Sequence, residues 1–249
     1  MGCRVVSQEL VYDNAGMSEV FVGTSGFSYK EWKPAFYPQD LPDRQMLTHY
    51  ASRFPTVEID STFYRMPTVA MLDAWQKAVP ARFRFAIKAS QVITHRQRLR
   101  VPSEALSYLT STVTALGPQL AFIAYQLPPN AKFDLSRLQA FLEVLPMNVP
   151  AAFEFRNPSW FVPEVYDLLG RHQAILCIHD SEEGCTPMEL TGTTVYVRLR
   201  RDSYSKDQRE EWRHRFKQWA AAGLDVFAYI KHKDNPNAPQ IALAFAEGF

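Results

Sequence analysis

Eight short apolar runs recur along this chain of 249 residues, most of them closing on a charged or strongly hydrogen-bonding side chain. They span residues 20–23, 56–59, 83–88, 120–126, 152–155, 174–179, 194–198 and 225–230. Helix-like stretches separate most of them. A strand-then-helix grammar repeated eight times predicts a closed parallel barrel, α/β in class, a single (β/α)8 TIM barrel whose reactive groups collect where the strands finish. The length agrees, since one such barrel takes roughly 250 residues.

The helical segments have readable ends. Leu41-Pro42-Asp43 opens a segment running to Phe54, and Thr68 opens one that stops before Pro80. Ser103 leads a third that ends before Gly117-Pro118, and Asp134 is placed to cap residues 135–145. Ser205 and Gln208 read as a capping box for a helix through Ala222, with Trp212, Phe216 and Trp219 on one core-facing stripe. Residues 181–192 read as loop, so the helix after the sixth strand should be poorly formed. The expected organisation is a flexible arm over residues 1–18 and one barrel domain over 19–249.

Composition narrows the function classes. Formal charge is +1, with 27 basic and 26 acidic residues, so no global field advertises DNA or a membrane surface. No apolar run approaches the ~18–20 residues of a membrane span, and no membrane partner is expected. The start, Met1-Gly2-Cys3-Arg4, carries neither a secretory h-region nor the myristoylation pattern. Cys3, Cys177 and Cys185 form no C-x-x-C pair and read as reduced thiols of a cytoplasmic protein.

Alternation along the strands sorts side chains by direction. Val57 and Ile59 oppose Glu58 and Asp60; Phe83, Phe85 and Ile87 oppose Arg84, Ala86 and Lys88. Phe153 and Phe155 oppose Ala152, Glu154 and Arg156, while Val195, Val197 and Leu199 oppose Tyr196, Arg198 and Arg200. The bulky apolar set must meet the helices. Glu58, Asp60, Lys88, Gln126, Glu154, Arg156, Asp180 and Arg198 should therefore line one mouth. Glu58–Lys88 and Glu154–Arg198 ion pairs would satisfy much of that charge. Replacing buried pairs by apolar residues is often neutral or stabilising, so stability alone is a weak reason to gather so many charges at one end.

Several blocks then carry a resemblance. Gly23-Thr24-Ser25-Gly26-Phe27-Ser28-Tyr29 with Trp32 and Tyr37-Pro38, residues 57–64, Lys88 with Ile93-Thr94-His95, Gln126-Leu127-Pro128-Pro129, residues 154–160 and Tyr196-Val197-Arg198-Leu199 appear in order. Together they resemble the YecE-like family, the domain of unknown function numbered 72. The resemblance implies a barrel akin to sugar-isomerase and apurinic-endonuclease barrels, without an established activity. The chain departs from the usual pattern at Asp60 (usually Asn), Asn157 (usually His) and Arg200 (usually His). Lys231-His232-Lys233 replaces a frequent Phe-Asn-Asn run. The departures make the mouth more basic.

The chemistry expected from these residues is acid–base catalysis by Glu58 and Glu154, with Lys88 and Arg198 as anchors and His95 as a proton shuttle. Lys88 is also weighed as a Schiff-base amine. Arg198 and Arg200 suit bidentate capture of phosphate or carboxylate, reinforced by Lys88, Arg156 and Lys231. Tyr29, Trp32, Tyr64, Trp160 and Tyr204 offer aromatic surfaces for a sugar or base. With Asp60, Gln126 and Asp180, these groups form the expected binding set for a small anionic or sugar-phosphate ligand. No cofactor is predicted. A divalent metal ion held by Glu58, Glu154, Asp180, His179 and His232 is the next reading, opposed by the adjacent arginines and by the opposite facing of His179 and Asp180. The alternative class is a nucleic-acid-binding protein, or a metal-dependent endonuclease- or isomerase-like barrel. Oligomeric state is not legible from the sequence.

Overall fold

The computed structural model describes residues 18–231 and 236–249. The expected arm over residues 1–18 thus lies almost wholly outside the described residues, as do His232 and Lys233. The described residues form nine strands: β1 Val20–Ser25, β2 Thr56–Ile59, β3 Arg84–Lys88, β4 Leu120–Gln126, β5 Ala151–Glu154, β6 Ile175–Ser181, β7 Gly184–Cys185, β8 Thr194–Leu199 and β9 Asp225–Lys231. Eight pair in parallel in the order β5-β4-β3-β2-β1-β9-β8-β6, and a β5–β6 pairing closes the ring. The remaining strand, β7, is a two-residue antiparallel return on β6. This is the (β/α)8 barrel that the alternating apolar runs demand.

The helices are α1 Met46–Ala51, α2 Val69–Lys77, α3 Glu104–Val113, α4 Leu135–Glu143, α5 Pro163–Arg171, α6 Lys206–Ala221 and α7 Ala238–Ala246. Side-chain oxygens of Thr68, Ser103, Asp134 and Ser205 each accept a backbone N–H at the start of α2, α3, α4 and α6, and Gln208 completes the capping box. Pro163 opens α5, where its missing N–H costs nothing. Between β6 and β8 no helix forms among the described residues. There Thr191 and Thr186 accept the amides of Leu176 and His179 and hold the returning loop against β6.

Two apolar layers result. Outside the sheet, Val57, Ile59, Phe85, Ile87, Ile123, Phe153, Ile178, Val195 and Val197 meet the helices. Inside, Phe21, Ala86, Phe122, Ala124, Ala152, Ile175, Cys177, Tyr196, Phe227 and Tyr229 fill the lumen. Phe21 stacks on Phe227 at 4.6 Å and Phe122 leans on Tyr196 at 4.7 Å. The lower barrel is therefore plugged by rings, and only its upper end is polar. Gly23 lets β1 approach β2: a Cβ there would lie 2.3 Å from the Thr56 carbonyl oxygen.

Candidate functional site

The polar end is organised around Arg198 on β8, which is 1% exposed. One terminal nitrogen donates to Glu154 Oε2 at 2.6 Å, and the other to Glu58 Oε1 at 2.7 Å. Glu58, on β2, also accepts from Ser25 Oγ at 2.7 Å and from the Tyr196 hydroxyl. Glu154, at the end of β5, accepts from Gln126 Nε2 at 2.9 Å and Arg156 Nε at 3.2 Å. Both carboxylates are buried and fully engaged. Burial alone would raise the Glu154 pKa; the cationic field of Arg198, Arg156, Lys88 and Arg200 reverses this and holds it well below the ordinary range. Arg198 is pushed well above its ordinary value, because Glu154 and Glu58 outweigh the effect of its burial.

Above this clamp lies a rim of cations. Parallel register sets Glu58 against Ala86 and Ile59 against Ile87. The next residue, Asp60, therefore comes level with Lys88, and the pair meets at 3.0 Å. Lys88 Nζ also sits 5.2 Å from the Phe63 ring, which in turn meets the His95 imidazole at 4.9 Å. Burial, followed by Arg156, Lys88 and Arg98, lowers the His95 pKa. Across the mouth, Arg200 donates to His179 Nε2 at 3.2 Å. Burial lowers His179 to about 4 despite Glu154, so it accepts that bond as a neutral imidazole. Arg200 Nε is buried without a hydrogen-bond partner. Lys231, half-buried at the end of β9, is lowered to about 8 by burial and then by Arg200, Arg198, Arg156 and Lys88. Five cations (Lys88, Arg156, Arg198, Arg200 and Lys231) face three carboxylates (Glu58, Asp60 and Glu154), leaving the mouth with an excess of two positive charges.

Glu58, Asp60, Lys88, Gln126, Glu154, Arg156, Arg198 and Arg200 converge as their strand phases require, with His95 beside Lys88. Tyr64 stands at this rim, edge-on to Phe63 and 76% exposed. Other residues fall elsewhere. Asp180 is on the outer face of β6, where it accepts Arg201 through both oxygens at 2.8–3.0 Å and the Trp212 indole N–H at 3.3 Å. It ties β6 to α6; its neighbour His179 is the lumen residue. Trp160 is buried, stacked 4.5 Å from Phe155 with its indole N–H on the Ala131 carbonyl at 2.7 Å. Tyr204 is buried edge-on to Phe245 on α7 and accepts the Arg201 amide at 3.4 Å. Trp32 is wholly in the core. These aromatics are packing, not platforms. Lys88 pairs with Asp60 rather than Glu58. Ser25, His179 and Tyr196 belong to the site without having been in the expected binding set; Tyr196 shares the alternation phase of Arg198, and that phase was the available signal.

No three His, Cys, Asp or Glu side chains among the described residues converge to hold a metal ion. Arg198 occupies the two glutamates, and Asp180 faces away from His179. No helix among the described residues is long and apolar enough to cross a membrane.

Comparison with known proteins adds relatives but no activity. The chain is 29% identical over 156 residues to the UPF0759 protein YunF of Bacillus subtilis (strain 168), covering 59% of this chain and 54% of that protein. It is 25% identical over 143 residues to the UPF0759 protein YecE of Escherichia coli (strain K12), covering 57% and 50% respectively. The matched region spans about half the length of these curated relatives. The fold matches that of a crystallised DUF72 family protein from Thermotoga maritima MSB8, with a TM-score of 0.80, 24% identity, and coverage of 92% of this chain and 98% of that one. A second such protein, from Enterococcus faecalis V583, gives a TM-score of 0.72 at 20% identity, covering 92% and 97%. The sequence pattern of the family described as "Protein of unknown function DUF72" matches residues 21–249, and the chain belongs to that family.

Proposed function

We propose that this protein is an enzyme acting at its barrel mouth on an anionic, phosphorylated and sugar-containing substrate by acid–base chemistry. One observation carries the reading: cations exceed carboxylates in the mouth, and the excess is felt electrostatically. Lys231 and His95 are both lowered in part by neighbouring cations, and a buried Arg200 N–H has no acceptor. A bound anion would relieve all three. In this reading Arg156 and Arg200 hold the anionic group, with Lys231 adding to the positive field beside it, while Lys88 and Asp60 meet the sugar. His95 exchanges protons as a neutral imidazole, and Tyr64 covers one face of the ligand. Glu58 and Glu154, saturated by hydrogen bonds, position Arg198 rather than transfer protons themselves.

The test is a thermal-shift titration with inorganic phosphate and a panel of sugar phosphates, repeated with Arg200→Ala and with competing oligonucleotide. Saturable stabilisation by the small anions, lost in Arg200→Ala and insensitive to DNA, is the expected outcome. Equal melting temperatures with and without every anion would refute it. A turnover screen on stabilising compounds with Glu58→Gln and His95→Gln then separates positioning from proton transfer.

One observation favours a second reading. Arg96, Arg98 and Arg100 are exposed on the segment following β3, and Tyr64 is an exposed ring. A nucleic-acid backbone would fit that edge, and binding would then fall steeply with salt over several phosphate contacts.

A further inference from the structure

Lys231 closes β9 on the lumen side, in phase with Phe227 and Tyr229 and opposite Ser25 of β1. The carboxylates of the mouth are already committed, Glu58 and Glu154 to Arg198, and Asp60 to Lys88. Among the described residues no carboxylate lies within ion-pair distance of Lys231, whereas each of the mouth carboxylates has a cation at 3.0 Å or less. The charged groups that bear most strongly on it are Arg200 and Arg198 of β8, Arg156 after β5 and Lys88 of β3, all cationic. Lys88 differs, because it pairs with Asp60 at 3.0 Å and lies over the Phe63 ring. An amine without an ion-pair partner, whose strongest charged neighbours are cations, has two ways to lower its energy: capture an anion, or shed its proton. The second leaves a nucleophile.

Resting on the reading of the mouth as an anionic-sugar site, we propose that Lys231 is the covalent amine of that site, forming an imine with the carbonyl of an open-chain phosphorylated aldose or ketose. The Nζ lone pair attacks the carbonyl carbon, and the C=O π pair moves to oxygen. An amine proton passes to that oxygen, giving a carbinolamine. Loss of the hydroxyl with the second amine proton, as water, leaves the C=N bond. Atoms balance as amine plus carbonyl giving imine plus water, and no electrons enter or leave. Arg156 and Arg200 orient the phosphate so that the carbonyl carbon meets Nζ. Near pH 8 a large share of Lys231 is neutral and competent, whereas an ordinary surface lysine is almost wholly protonated there.

The test is reductive trapping of the whole protein with glyceraldehyde 3-phosphate and cyanoborohydride, with adducts mapped by peptide mass spectrometry. The expected result is one dominant adduct on Lys231, its rate half-maximal near pH 8 and slowed by inorganic phosphate. Lys231→Arg should abolish it and Lys77→Arg, at an exposed lysine of α2 outside the mouth, retain it, with melting curves confirming that both variants fold. Labelling spread over the exposed Lys30 and Lys77, with Lys231 no faster, overturns the proposal. Stabilisation by phosphate without an adduct on Lys231 would refute the imine and leave the anion reading standing. Equal trapping of neutral glyceraldehyde, unaffected by phosphate, would overturn the phosphorylated substrate class and with it the reading of the mouth.

Discussion

Replacing Arg198 by Met tests the clamp directly. The change removes the 2.6 Å bond to Glu154 and the 2.7 Å bond to Glu58, and strands two carboxylates that are 1% and 0% exposed. Breaking a buried pair from one side costs about 3–5 kcal/mol, because the uncompensated charge stays buried. Total stabilities lie near 5–15 kcal/mol, so the loss is a large fraction of the whole. At about 2–4 °C per kcal/mol for a chain of this size, the melting temperature should fall by about 6–20 °C. The Glu58→Gln, Glu154→Gln, Arg198→Met triple variant leaves no buried charge in the clamp and should recover much of the loss. Urea unfolding at neutral pH measures both. The sign of the pH dependence follows from Glu154, whose folded pKa is depressed. Its contribution is present above the unfolded carboxyl value of about 4.3 and disappears as pH falls through the folded value. Without Arg198 the largest of the cationic contributions to that depression goes, so the gap between wild type and Arg198→Met should narrow in acid. A loss under about 1 kcal/mol, or a triple variant no more stable than the single one, would refute the argument.

Three further outcomes are expected. Sulfate, whose charge is constant, should stabilise the protein more at about pH 7 than at about pH 9, because Lys231 is cationic below about 8 and neutral above it; an unchanged shift in melting temperature would remove Lys231 from the anion site. Asp180→Asn should lower stability by about 1–3 kcal/mol in urea while leaving ligand-induced stabilisation intact, since its partners Arg201 and Trp212 lie outside the lumen; loss of ligand response without loss of stability would contradict that placement. Gly23→Ala should cost about 1–3 kcal/mol or more, because its Cβ meets the Thr56 backbone; a variant melting with wild type would mean that β1 can move away freely.

The barrel was legible because the period of two in each apolar run and the helix caps between runs agree with one another. The site was legible wherever one phase of a strand is bulky and the other is not, as in 152–156 and 195–200. β6 offers no such contrast: Ile175 and Cys177 are as apolar as Leu176 and Ile178, so His179 and Asp180 cannot be assigned by phase. The Lys88 partner was hidden for another reason. Glu58 and Asp60 share a face, and only the interstrand register decides which of them is level with Lys88. Trp160 and Tyr204 show the limit for aromatics, since a ring in a loop reads the same whether it is buried or exposed. Helix α7 follows the undescribed stretch after β9, and its apolar residues have no polar counter-face to give them a period.

The ring of strands is joined unevenly. β8 and β9 are in register over six positions, whereas β5 and β6 share only two, Ala152 with Ile175 and Phe153 with Leu176. Arg198 stands on β8, one strand beyond that short joint, and reaches Glu154 on β5 while its other arm holds Glu58 on β2. A single guanidinium thus acts as a cross-brace over two thinly laced joints, β5–β6 and β1–β2, the latter in register at Ser25 with Glu58 alone. Any ligand that drew Arg198 away from its glutamates would loosen the hoop as well as rearrange charge.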